Sequence, residues 1–277
     1  MDAEVRAAAA LLAHFSQEFT AVVDDAMGTD FADNGEIRVL VAILGDVPPS
    51  TADLAELSRL NRRAVSRFVS WLETAGLATV GRSDRDGRVV LVNRTPRARR
   101  RGNRMRRQLE VMFDRSRPLA ADVVRLLGGS AEEPGATPVR DSLAVLDALA
   151  QAGLKIIDRA SLDGGASRLP ARQRVALTRL ASHAELRPTQ LMDTLGLTSG
   201  GVTYLVDQLA AAGFVRRRYG GLDTDRRAVT ITITPSGLTA VSGIYQGIAA
   251  TRGPLCDVFA EIRDRLPHLD RARVAAG

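Results

Sequence analysis

The chain states one pattern twice. Residues 54–80 read LAELSRLNRRAVSRFVSWLETAGLATV, followed by a charged turn and RVVLVNRTP at 88–96. Residues 191–218 read LMDTLGLTSGGVTYLVDQLAAAGFVRRR, followed by another charged turn and RAVTITITP at 227–235. The offset is 137 positions before the turn and 139 after it, so the second turn is longer by two residues. A repeat of about half the chain length implies two copies of one domain, each burying its own small core. The 277 residues are enough for two such domains.

The order of elements can be read from periodicity and caps. A helix is expected over 3–26 and another over about 35–44, capped by Asp33 or Asn34. Pro48-Pro49 makes a turn, and Ser50 with Asp53 has the spacing of a capping box. A helix over 62–75 stops at Gly76, strands follow at 77–80 and 88–93, and Thr95-Pro96 opens a long helix to about 113. A short helix at 118–127 precedes the linker GGSAEEPGATP at 128–138. The order then recurs, with helices at 139–160, 171–183, 188–195 and 199–212, strands at 214–218 and 227–233, and helices from Pro235 and Pro254. Short helices leading into a two-stranded hairpin describe a winged helix-turn-helix. The expected fold is mainly α with small β-hairpin wings (α+β). Its domains are residues 1–128 and 139–277, joined by a linker at 129–138.

Charge is unevenly placed. The net charge is +6 with a pI near 10.5, and Lys155 is the only lysine, so the other 37 basic residues are arginine. GC-rich codon usage accounts for the preference of arginine over lysine but not for its position. Residues 57–117 carry 17 arginines against five acids, whereas residues 1–56 carry two against eleven. Such segregation implies one surface aimed at a polyanion, and guanidinium forks suit phosphates and base edges.

The two candidate reading helices share a buried stripe. Val65, Phe68, Val69 and Leu72 match Val202, Leu205, Val206 and Leu209 position for position. Trp71 reads as packing. The complementary face carries Arg62, Arg63, Ser66, Arg67 and Ser70 in the first copy, and Ser199, Gly200, Thr203, Tyr204 and Asp207 in the second. Short polar and arginine side chains near a helix N-terminus reach bases and phosphates when that end enters a major groove. Asn61 and Thr198 stand at the caps. Both hairpin turns place a D-x-D pair beside arginines: Arg82, Arg85 and Arg88 in the first, Arg218, Arg226 and Arg227 in the second. An arginine-bearing tip fits a narrow, A·T-rich minor groove, and the aspartates are expected to hold that arginine by local hydrogen bonds and shape the turn.

On these residues both copies resemble the MarR family of bacterial transcriptional regulators. The second copy follows the family pattern throughout. The first departs from it, with RLNRRAVSRFV in place of a Ser/Thr-Gly entry and TPRAR, including Arg97, after the wing. The resemblance implies a sequence-specific regulator of double-stranded DNA, a repressor by analogy, relieved by a small-molecule effector. It also implies that helices 3–26, 96–127, 139–160 and 235–266 pair as the dimer helices of the family do. One chain would then be an intramolecular pseudo-dimer able to act as a monomer. Residues 94–107 hold eight arginines, so this helix is expected to contact phosphates as well as pack. Two other readings stand beside this one: an architectural, nucleoid-type DNA-binding protein, and a winged-helix scaffold for protein partners.

No enzyme, cofactor or metal is expected. His14, His183 and His268 share no ligand spacing, and the single Cys256 has no partner for a disulfide or a thiol zinc site. GLTSG at 196–200 has threonine where a nucleophile elbow needs serine, and no phosphate-binding glycine loop occurs. The acidic start and the lack of a long apolar run point to a cytoplasmic protein with no membrane span.

Overall fold

The computed structural model describes residues 2–30, 32–129, 140–164, 169–183, 185–219 and 229–265. These form two compact units. The first holds Glu18–Arg125, Gly129–Leu154 and the described part of Gly253–Gly277; the second holds Met1–Gln17, Leu126–Gly128 and Lys155–Arg252. Each unit draws on both halves of the sequence.

In the first unit the chain runs from the later part of α1 (Ala3–Met27) through α2 (Asn34–Leu44), α3 (Thr51–Ser58) and α4 (Arg62–Thr74). A hairpin of β1 (Ala78–Arg82) and β2 (Val90–Arg94) follows, then α5 (Pro96–Arg115) and α6 (Arg117–Leu126). The caps act as their residue types dictate. Ser50 Oγ accepts from the Asp53 amide at 3.0 Å, and Asp53 returns a carboxylate oxygen to the Ser50 amide at 2.9 Å, satisfying two otherwise orphaned donors. The bond from the Ser50 amide, and then the Ser50 hydroxyl, hold the Asp53 carboxyl below the usual carboxylate range. Strands β1 and β2 pair antiparallel from Ala78↔Arg94 to Arg82↔Val90, and a bridge between Ser50 and Leu91 adds a third, minimal strand.

The start of α7 (Ser142–Gly164) and most of α12 (Arg252–Asp264) complete this unit. Arg38 of α2, only 7% exposed, makes a two-pronged pair with Asp147 of α7 (2.8 and 3.2 Å) and donates to the Leu57 carbonyl. Buried Glu261 of α12 binds the amide and guanidinium of Arg140, while Arg265 donates to the Arg140 carbonyl and lies 5.2 Å over the Phe113 ring. This ties down the backbone at 140–141, so α7 begins at Ser142 rather than at 139 as the sequence pattern predicted.

The second unit repeats the design with α8 (Ala171–Ala181), α9 (Pro188–Leu195), α10 (Ser199–Ala211), β3 (Val215–Tyr219), β4 (Val229–Ile233) and α11 (Pro235–Ala250). Its wing pairs from Val215↔Ile233 to Tyr219↔Val229, with a bridge between Leu186 and Ile231, whose equivalents Pro49 and Val92 are joined in the first by a bond from the Val92 amide. Both units also carry the same latch at the base of the wing. Thr95 Oγ1 caps α5 through the Ala98 amide (3.1 Å) and donates to the Gly76 carbonyl (2.8 Å). Thr234 caps α11 through the Gly237 amide (3.1 Å) and donates to the Gly213 carbonyl (2.7 Å). Gly76 and Gly213, at φ +69° and +77°, end the preceding helices in the left-handed region that favours glycine.

The last long helix of each unit crosses its partner differently. On α11, Gly243 and Gly247 let the backbone approach α7, where a Cβ at 243 would stand 3.0 Å from the Ala160 carbonyl oxygen and one at 247 would collide with that of Ile156. On α5 the positions 139 residues earlier are Arg104 and Gln108, both bonded to the Asp25 carboxylate of α1 at 2.7 Å. An open groove of about 520 Å³ lies there, lined by Glu18 and Val22 of α1 and by Arg104, Arg107, Val111 and Arg115 among the α5 residues.

Candidate nucleic-acid interface

Each unit presents one exposed helix at the second position of a helix-turn-helix, flanked by a wing. In the first unit, Asn61 Oδ1 accepts from the Ala64 amide at 2.9 Å, so the side chain that starts α4 is committed to capping. Val65, Phe68, Val69 and Leu72 are buried, and Trp71 stacks on Phe68 at 5.5 Å between ring centroids. The remaining face exposes Arg62, Arg63, Ser66 and Arg67 together. Among the described residues Arg62 and Arg63 have no hydrogen-bonding or ionic partner. Arg67 is within electrostatic reach of half-buried Glu36, whose carboxyl is pushed above its usual range by burial.

The first wing closes on itself. The guanidinium of Arg82 donates to the Gly87 carbonyl at 3.1 Å, the Asp86 carboxylate accepts from the Arg88 amide at 2.9 Å, and Ser83 Oγ accepts from the Arg85 amide at 3.3 Å. The aspartate therefore shapes the turn through a backbone amide rather than by holding an arginine head. Arg82, Arg85 and Arg88 are all exposed, and Arg82 also closes the turn through one of its guanidinium N–H groups.

In the second unit, Thr198 Oγ1 caps α10 through the Gly201 amide (3.2 Å), and the Thr203 hydroxyl bonds back to the Ser199 carbonyl (3.0 Å). Ser199, Gly200, Thr203 and Tyr204 are exposed, Tyr204 to 66%. The chemistry of this face differs from that of α4. Its acid, Asp207, is paired at 2.5 Å with Arg217 of β3, which also donates to the Thr203 carbonyl. Arg217 was not singled out in the sequence, although its place ten residues beyond Asp207, on the first wing strand, was a usable signal. Arg218 pairs with Glu185 at 3.0 Å. Arg226 and Arg227 lie outside the described residues.

The arginine-rich helix divides. Arg94 binds the Leu44 carbonyl and Asp46, Arg101 the Met27 carbonyl, Arg104 Asp25, and Arg106 Asp141. Half of the eight arginines at 94–107 thus serve internal contacts, which reduces the charge that the sequence appeared to offer outward. Arg97 is exposed but lies beside Gly76. That is the opposite end of the 13-residue α4 from Arg62, or about 20 Å at 1.5 Å per residue. It does not join the reading surface formed by Arg62, Arg63, Ser66 and Arg67.

Among the described residues, no group of three or more His, Cys, Asp or Glu is placed to hold a metal ion, and no helix is long and apolar enough to cross a membrane. What the geometry defines is a pair of winged helix-turn-helix heads. Residues 169–228, from the approach to α8 into the second wing, match the MarR family. Solved structures similar to this chain include a MarR mutant from E. coli complexed with operator DNA, at 19% identity and a TM-score of 0.32 over 47% of this chain and 84% of that one. Others are the YusO protein from Bacillus subtilis (16%, 0.32, 48% and 86%) and a probable transcriptional regulator from Pseudomonas aeruginosa (20%, 0.30, 46% and 89%). No curated protein matches the chain.

Proposed function

We propose that this chain is a DNA-binding transcriptional regulator that reads two unlike half-sites with α4 and α10. The observation that carries the reading is the same head built twice, each with an exposed, N-capped helix beside a wing, the second within a stretch that matches the MarR family. A solved relative with operator DNA bound belongs to that family by name. Two linked heads make the second contact intramolecular, with an effective concentration on the order of millimolar. The pseudo-dimer reading, with copies at 1–128 and 139–277, is supported by the first unit, where Arg38–Asp147 and Arg106–Asp141 tie helices of the first copy to the second. The unlike faces of α4 and α10 favour an imperfect palindrome. The first half-site would be held mainly by charge and the second mainly by base contacts from the Ser199–Tyr204 face.

The test is a mobility-shift and footprint experiment on DNA flanking the chain's own gene, with random duplex as control. A protected pair of half-sites about 34 Å apart, bound at least 100-fold more tightly than random duplex, is the expected result. Equal affinity for both duplexes overturns sequence-specific regulation in favour of an architectural role. Repression, with relief by a small-molecule effector, is the sense of regulation we propose from the family likeness. A reporter driven by the protected promoter should rise when the gene is deleted.

A further inference from the structure

Five arginines of α5 fall on one stripe: Arg97, Arg100, Arg104, Arg107 and Arg115, at spacings that 3.6 residues per turn brings to one side of a helix. All five are exposed. Arg104 is paired with Asp25, whereas Arg97, Arg100, Arg107 and Arg115 have no hydrogen-bonding or ionic partner among the described residues. The stripe spans about 27 Å at 1.5 Å per residue. The acids beside it are Asp25 and Glu18 of α1, with Glu110 and Asp114 on α5 itself only near its far end, so Arg97 and Arg100 have no acid of α5 within two turns. It starts at the end of α4 remote from Arg62, so it is separate from the reading surface.

The matched helix shows that the fold does not require this charge. The corresponding positions of α11 and beyond are Ser236, Thr239, Gly243, Gln246 and Pro254, and α11 contains no arginine at all. A codon-level preference for arginine would act on both helices alike. We propose that the α5 stripe is a second DNA-binding surface that takes the phosphate backbone of a duplex segment beyond the two half-sites. The proposal rests on the DNA-binding reading above. Duplex DNA is the occupant that the observations favour, because a linear row of guanidinium groups at helical spacing matches a linear row of phosphates, which pair bidentately with arginine.

The experiment uses the full chain, a triple variant (Arg100→Gln, Arg107→Gln, Arg115→Gln), a head variant (Arg62→Gln, Arg63→Gln) and their combination. Binding to a fluorescent mixed-sequence duplex of about 40 bp is followed across a salt series. Loss of three phosphate contacts should make the slope of log affinity against log salt shallower by about 3 and lower affinity at least tenfold at low salt. The head variant should keep a salt-dependent affinity that the combination loses, and three Arg→Lys changes should retain most of the slope. Circular-dichroism melts check that the variants fold. An unchanged slope in the triple variant, with weakened binding in the head variant, overturns the stripe and leaves the heads standing. No duplex binding by the native chain at low salt overturns the DNA-binding reading itself. If benzoate, as a small anion for the adjoining groove, or phosphatidylglycerol vesicles bind in a stripe-dependent way while the duplex slope is unchanged, the DNA assignment is also overturned.

Discussion

The crossing of α11 on α7 and that of α5 on α1 answer one requirement in opposite ways. Both place a long helix after a wing, and both begin at a Thr-Pro whose threonine ties the new helix to the end of the reading helix. In the second unit, Gly243 and Gly247 bring two backbones into contact. In the first, Arg104 and Gln108 hold the helices through Asp25 and leave a groove of about 520 Å³. The difference teaches that two helices matched in sequence offset and cap can serve, one as a packing element and the other as a charged surface.

The contrast is easiest to break at its closest approach. Gly247→Leu forces a side chain against the Ile156 carbonyl and should destabilise the second unit by about 3 kcal/mol, seen as a lowered denaturation midpoint. A wild-type midpoint would mean that the crossing is looser than described. Next in size is the turn before each reading helix. Gly196 (φ +60°) and Arg59 (φ +57°) occupy equivalent left-handed positions. Gly196→Ala should cost about 1 kcal/mol, whereas Arg59→Ala adds no backbone strain that is not already present. Equal losses at both positions would deny that equivalence. On the polar crossing, Gln108→Ala should change stability by less than about 0.5 kcal/mol, since an exposed network contributes little.

The smallest effect is a pH dependence. The hydrogen bond from Gln108, and then the charge of Arg104, hold the Asp25 carboxyl below its ordinary value of 3.8. A carboxylate depressed by folding adds stability that is fully present above its unfolded pKa and is lost as pH falls through the folded value. Asp25→Asn should therefore flatten the loss of stability below about pH 4 relative to the native chain, measured by urea unfolding at several pH values. Parallel curves for the two proteins would remove Asp25 from the account.

Local signals made the heads legible. Ser50 with Asp53, Asn61, Thr95, Thr198 and Thr234 all stand at caps that nearby residues determine, and the stripes from Val65 and Val202 fix which side of each reading helix is buried. The fate of the arginines was not legible, because it depends on distant partners. Arg101 finds the Met27 carbonyl 74 residues back, and Arg106 finds Asp141 35 residues ahead. Gly243 and Gly247 look like weak points of a helix until Ile156 and Ala160 arrive from α7. Arg82 read as a charge at the hairpin, and its further bond to the Gly87 carbonyl, which closes the turn, was not foreseen.

One contact bears on how such a chain can be divided. Arg38, in the opening third of the polypeptide, keeps its counter-charge at Asp147, 109 residues downstream. A truncation that discards everything after the first wing and its helices removes that carboxylate together with the α7 helix packed on α2, so the fragment loses the ion pair and the cover over its face at once. Expressed alone, such a fragment should aggregate or remain unfolded, whereas adding the downstream half in trans should rescue it. The first head is then tied to the second half of the chain by its own interior: its exposed face can change freely, but the head cannot be cut away intact.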